Sequence, residues 1–276
     1  MKKIVFAAVA ILVAASGGAL ADRAQELNSV HHFPTKDQAN KARPRGSNLS
    51  YHGGPVIHSA RVVAIFWGPS WGTGGADAAT ATHVQQFFGQ FGTNSHYAII
   101  TQYSDGAGFI QTTNLGNTSY FDSSTPPTNV TDADMQAEVL KAIGVVGFDA
   151  STIYEVFIPP SSYSSSGNAT SCGGPALQYC AYHGHFSSSF GDVKYASMPY
   201  PSCSGCQSAG FTDAQNLDHF SCHETREAVT DEDLNAWFDR RGNEADDKCA
   251  WSPAPFIDGG FGYQYEWSNA ASGCVR

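Results

Sequence analysis

Between residues 213 and 230 three side chains of metal-binding type recur four apart: His219, His223 and Glu227. In a helix, residues four apart stand one turn above each other on the same face. An imidazole at 223 and a carboxylate at 227 can therefore converge on one cation. Glu224 directly follows His223, giving His223-Glu224-x-x-Glu227. In an H-E-x-x-H helix two histidines hold zinc and the glutamate is the general base that activates water. Here Glu227 replaces the second histidine, and zinc also accepts carboxylate oxygen. The chemistry expected is zinc-dependent hydrolysis, with Glu224 as the catalytic base and His223 and Glu227 as ligands. A catalytic zinc needs a third protein ligand. Glu244 and Asp247 are the candidates, because they follow Glu227 by 17 and 20 residues, far enough for the chain to turn back. His219 is another, although three ligands on one helix form a line rather than a pocket.

The same helix also reads as a solvated polar face with ordinary helix pairs. Calcium is a further reading: Asp231, Asp233, Asn235 and Asp239 alternate as oxygen donors, but the glycine and distal glutamate of an EF-hand loop are missing. His183 and His185 share one face of an expected strand, as ligands or as lining of the sheet surface. Cys222 adjoins His223, but adjacent helix positions point about 100° apart, which suits a disulfide, for instance to Cys249, better than a thiol–imidazole pair. No P-loop or G-x-G-x-x-G pattern occurs.

Several of these blocks resemble the phosphate-induced protein 1 (EXORDIUM) family over roughly residues 50–270. The blocks are Tyr51-His52-Gly53-Gly54-Pro55-Val56 with the strand that follows, Cys180-Ala181-Tyr182-His183 with Lys194-Tyr195-Ala196, and His223 to Asp231 with Trp237, Asp239, Gly242, Glu244, Asp247 and Cys249. The resemblance implies a secreted or cell-wall protein with a zincin-like block, and a metal site at His223, Glu227 and one of Glu244 or Asp247. Cys222 stands where the family usually shows Ser, and Glu232 where bacterial relatives often have Pro. Neither departure removes a proposed ligand.

These side chains must be positioned by regular elements. Residues 60–67 and 152–158 are β-branched, apolar runs of buried-strand type. Residues 77–90 and 131–146 have helical spacing, the second opened by the capping sequence Thr131-Asp-Ala-Asp134. Residues 97–103 and 108–113 read as strands, 161–173 as a Ser/Gly/Asn loop, and 178–185 with 194–198 as a strand pair. Residues 213–230 read as a helix capped by Thr212 or Asp213. The chain after Trp237 reads as irregular, with one strand near 262–267. The order predicts an α/β domain with a mixed sheet and flanking helices, spanning 51–276.

Ahead of that domain, Lys2 and Lys3, the apolar run Ile4–Val13 and Ala19-Leu20-Ala21 read as a signal peptide over residues 1–21. Residues 22–50 read as a flexible or propeptide-like arm. Export fits the seven cysteines, all after residue 170, which predict three disulfides of open connectivity and one free thiol. Pro199 and Pro201 place Cys203-Ser-Gly-Cys206 in a loop, against a redox motif. A net charge of −10 excludes a nucleic-acid footprint and disfavours anionic membranes. Two functions stay open: a secreted zinc metallopeptidase acting on a protein, peptide or cell-wall substrate, and a non-catalytic extracellular binding or signalling protein with a structural metal or none.

Overall fold

A computed structural model describes residues 30–42 and 47–276 of the chain, so the expected signal peptide lies outside the described residues. Alternation along the apolar runs builds two cores, one on each face of a sheet. That sheet comprises β1 (Val30–Pro34), β2 (Arg61–Trp67), β3 (Thr118–Asp122), β4 (Thr152–Phe157), β5 (Tyr179–Ser188) and β6 (Gly191–Met198), in the order β1-β5-β6-β4-β2-β3. Strands β6, β4, β2 and β3 run parallel, whereas β5 is antiparallel to β6 and β1 antiparallel to β5. The mixed α/β architecture is therefore as expected.

The helices are α1 (Lys36–Ala42), α2 (Ala78–Phe91), α3 (Asp132–Val146) and α4 (Asp213–Thr230). Val62, Ala64 and Phe66 join Phe87 of α2 and Leu217 and Phe220 of α4 in one core. Val63 and Ile65 face the other way, onto Met135, Val139 and Ile143 of α3. A sheet covered on both faces needs such near-continuous apolar strands. Capping boxes set the starts of α3 (Thr131 with Asp134) and α4 (Thr212 with Gln215). Among the described residues no helix is long and apolar enough to cross a membrane.

Helix α4 is buried from Asn216 through Thr230. A polar helix can be enclosed only if its side chains find partners, and the C-terminal chain supplies them. Gly262 packs directly on the first turn, where a Cβ would lie 2.1 Å from the carbonyl oxygen of Gln215. Its N–H donates to Asp218 at 3.1 Å. Near the other end of the helix, the N–H of Ile57 donates to the carbonyl of Val229 at 3.0 Å. The antiparallel pairing of Ser50–Tyr51 with Trp237–Phe238 ties these segments together.

Several expectations require correction. Residues 30–42, assigned to a flexible arm, form β1 and α1, and Phe33 is fully buried. Residues 97–102 are helical rather than extended, because Asn94 accepts from the N–H groups of His96 and Tyr97 and starts a turn, Ser95–Ala98, that continues as a 3-10 segment to Gln102. Residues 108–113 have only an isolated bridge, Ser104 to Phe109. The expected loop 161–173 contains two short strands, Tyr163–Ser166 and Ala169–Thr170. The C-terminal part holds two small antiparallel pairs instead of one strand. Three disulfides form, Cys172–Cys203, Cys180–Cys206 and Cys249–Cys274. Cys222 is the buried free thiol, so the suggested bridge to Cys249 is wrong.

Candidate metal centre

One turn of α4 places His223 and Glu227 over each other, with Nε2 and Oε2 3.1 Å apart. The chain beyond α4 returns Asp247 to the same point, its Oδ1 3.7 Å from His223 Nε2. Two hydrogen bonds fix that return. The N–H of Asp247 donates to Glu227 Oε1 at 2.9 Å, and the N–H of Glu244 donates to Asp247 Oδ2 at 3.4 Å. Donor atoms of His223, Glu227 and Asp247 all lie within 4.8 Å of one another. Donors sharing a tetrahedral zinc at about 2.0–2.2 Å are separated by about 3.3 Å, so the three residues fit such an ion.

The imidazole of His223 is oriented from behind. Its Nδ1 faces Gln264 Oε1 at 3.2 Å, which also meets His219 Nε2 at 3.0 Å. Gln264 is itself held by its amide nitrogen, which donates to the Asp246 carbonyl and carboxylate. Arg226 binds both Asp246 and Glu266. With Nδ1–H donated to Gln264, Nε2 is the nitrogen turned toward Glu227 and Asp247, and its lone pair would be free for an ion once the ring is neutral, the usual arrangement of a metal-ligating histidine. His219 thus belongs to this supporting layer and not to the ligand set.

Two histidines join the cluster from the sheet edge, where His31 of β1 and His183 of β5 are cross-strand partners. His183 Nδ1 is 3.1 Å from Glu224 Oε2, and His31 Nε2 is 2.6 Å from Asp247 Oδ2. Glu244 lies between them, 3.7 Å from His183 Nε2 and 3.5 Å from His31 Nδ1. Phe33 stacks on His223 with centroids 4.0 Å apart, and Trp251 stacks on Phe33. The sequence considered His183 as a ligand but missed His31, whose strand has no alternating pattern of its own.

Burial governs the electrostatics. Glu224, Glu227, His183 and His223 are fully buried, Glu244 is 2% exposed, and only His31 (24%) and Asp247 (9%) reach the surface. Among the described residues no lysine or arginine pairs with any of the four carboxylates. Burial, reinforced by the charge of Glu227, holds the Glu224 and Glu244 carboxyls well above the usual carboxylate range. Burial alone pulls His223 down, but Glu227 together with Asp246 and Asp247 outweighs it and pushes the imidazole up to about 9. Asp247, lowered by His31 against the opposing effect of burial, stays ionised. His183 Nε2, His223 Nε2, Glu224 Oε1, Glu227 Oε2, Glu244 Oε2 and Asp247 Oδ1 make no hydrogen bond. Buried atoms of this kind are costly unless something binds them.

Elsewhere the expected donors separate. Asp231 accepts the N–H of Ala236, Asp233 binds Lys194, and Asp239 accepts from Arg241 and Asn243. They do not converge as a calcium loop. His185 sits with Asp192 and Asp233, but Lys194 already neutralises those carboxylates. Two surface cavities, of 530 and 570 Å³, have no lining residue from the cluster. No family model, no curated protein and no solved structure matches the chain.

Proposed function

We propose that the protein is a secreted metalloprotein whose centre, His223, Glu227 and Asp247, holds a zinc ion for hydrolysis of a peptide or related carbonyl substrate. The observation that carries this reading is the convergence of three buried donor atoms without hydrogen bonds, in a cluster that no lysine or arginine of the described residues neutralises. Zinc in that position supplies a Lewis acid that polarises a carbonyl and acidifies water. Glu224, one residue from the ligand His223, is the group that takes the proton, its free Oε1 available and its Oε2 held by His183. Gln264 keeps His223 in the tautomer that leaves Nε2 free. The zincin-like helix and the EXORDIUM-like motifs support the same reading, as do three disulfides for an exported chain.

Burial favours a second reading, in which the ion is structural and the protein is a non-catalytic extracellular or cell-wall binding or signalling protein. Structural zinc sites are closed, whereas catalytic ones keep an open position, and Glu224 is fully enclosed. Glu224→Gln separates the two. Under the hydrolase reading the zinc-loaded variant retains its ion and loses peptidase activity by about 100-fold or more. A zinc-loaded wild type without activity on a broad peptide library, indistinguishable from the variant, establishes the structural reading instead.

A further inference from the structure

The cluster has more donors than one ion uses. Three imidazoles and four carboxylates meet around Glu227, while a tetrahedral zinc takes four ligands. Glu227 belongs to three separate sets of converging donors: one with His223 and Asp247, one with His31 and Glu244, and one with His183 and Glu224.

We propose that a second divalent transition-metal ion binds beside the first, held by His31, Glu244 and a shared Glu227, and clasps the N-terminal strand to the C-terminal chain. This inference rests on the metal centre proposed above. His31 Nδ1 and Glu244 Oε1 are 3.5 Å apart, close to the separation of about 3.3 Å for neighbouring ligands on one zinc. His31 is also oriented as a ligand. Its Nε2 meets Asp247 Oδ2 at 2.6 Å, which turns Nδ1 toward Glu244. Asp247 therefore serves both positions, Oδ1 toward His223 and Oδ2 behind His31. Glu244 Oε2 and Glu227 Oε2 are buried in this space without hydrogen bonds. Carboxylates shared between two ions about 3.5–4 Å apart are the usual construction of two-metal sites.

The test is zinc stoichiometry, by native mass spectrometry of the exported chain with its disulfides intact, titrated with zinc chloride. The proposal expects two ions in the wild type and one each in His31→Ala and Glu244→Gln, with the His31→Ala/His223→Ala double variant binding none. Glu244→Gln keeps side-chain volume, and circular dichroism identifies which variants are folded before their ions are counted. One ion in the wild type, unchanged in folded Glu244→Gln and His31→Ala, overturns the second site while leaving the first intact. No ion in any form overturns both.

Discussion

At the scale of single residues, most of the polar groups enclosed by α4 have identifiable partners, and Glu155 of β4 shows what an incomplete set costs. Glu155 is fully buried, accepts a hydrogen bond from Thr225 at 2.6 Å, and has no cationic neighbour. Burial pushes its carboxyl up to about 8, against weaker opposing hydrogen bonds from Thr225 and Ser221. The folded chain thus keeps a proton that the unfolded chain releases near the ordinary glutamate range. The stabilisation is complete at low pH and is lost as pH rises toward 8, on the order of a few kcal/mol. Glu155→Gln, which preserves a neutral hydrogen-bonding group, is expected to reduce the fall in Tm between pH 5 and pH 8, the remainder coming from other buried carboxyls such as Glu224 and Glu244. An unchanged slope would mean that Glu155 is not the group responsible. Cys222 gives a second residue-level prediction. Burial pushes its thiol up to about 12, so the native protein should not react with a thiol reagent at pH 8, and the unreduced, denatured chain should expose one thiol. Two or more reactive thiols in denaturant would contradict the disulfide pattern. His223, Glu224 and Glu227 were legible from spacing alone, because helical periodicity fixes which side chains share a face. The convergence of Asp247, rather than Glu244, with His223 and Glu227 was not, because it depends on the backbone contact between Asp247 and Glu227.

At the scale of elements, the structure depends on β1, one of the strands that the sequence did not reveal. Its segment Val-His-His-Phe-Pro buries only Val30 and Phe33, which leaves no period-two signal to read. Its edge position and Pro34 at its end are features of a strand defined by its neighbour rather than by its own pattern. β1 nevertheless contributes Phe33, which packs between His223 and Trp251. Phe33→Ala should cost about 3–5 kcal/mol in denaturant unfolding and weaken zinc binding. Full stability in that variant would show that β1 is peripheral. The principal helices and the inner strands were easier to read, since their caps and apolar periodicity are local. Thr212→Ala, which removes the side-chain cap of α4, should cost about 1 kcal/mol in the same assay. The segment 97–103 was misread because an apolar run looks the same in a buried strand and a buried helix, and Asn94 decides between them.

At the scale of the whole molecule, the centre joins parts of the chain that are distant in sequence: His31 from β1, His183 from β5, His223 and Glu227 from α4, and Glu244 and Asp247 from the region beyond it. An ion bound there links the N-terminal strand, the sheet and the C-terminal chain, so it should act as a fold-wide clamp. Stabilisation follows mass action and reaches about 4 kcal/mol at a thousandfold excess of free ion over Kd. The mixed sheet, the paired helical layers and the presence of disulfides follow from pattern and composition, but the disulfide connectivity depends on three-dimensional proximity. The measurement that tests the central claim most directly is the zinc content of purified wild type and Glu227→Gln, since Glu227 belongs to all three donor sets of this centre. The account predicts at least one zinc per wild-type chain, removable by a chelator with a fall in Tm, and little or none in the folded variant. Equal metal contents, or a wild type that takes up no divalent ion when zinc is supplied, would contradict it.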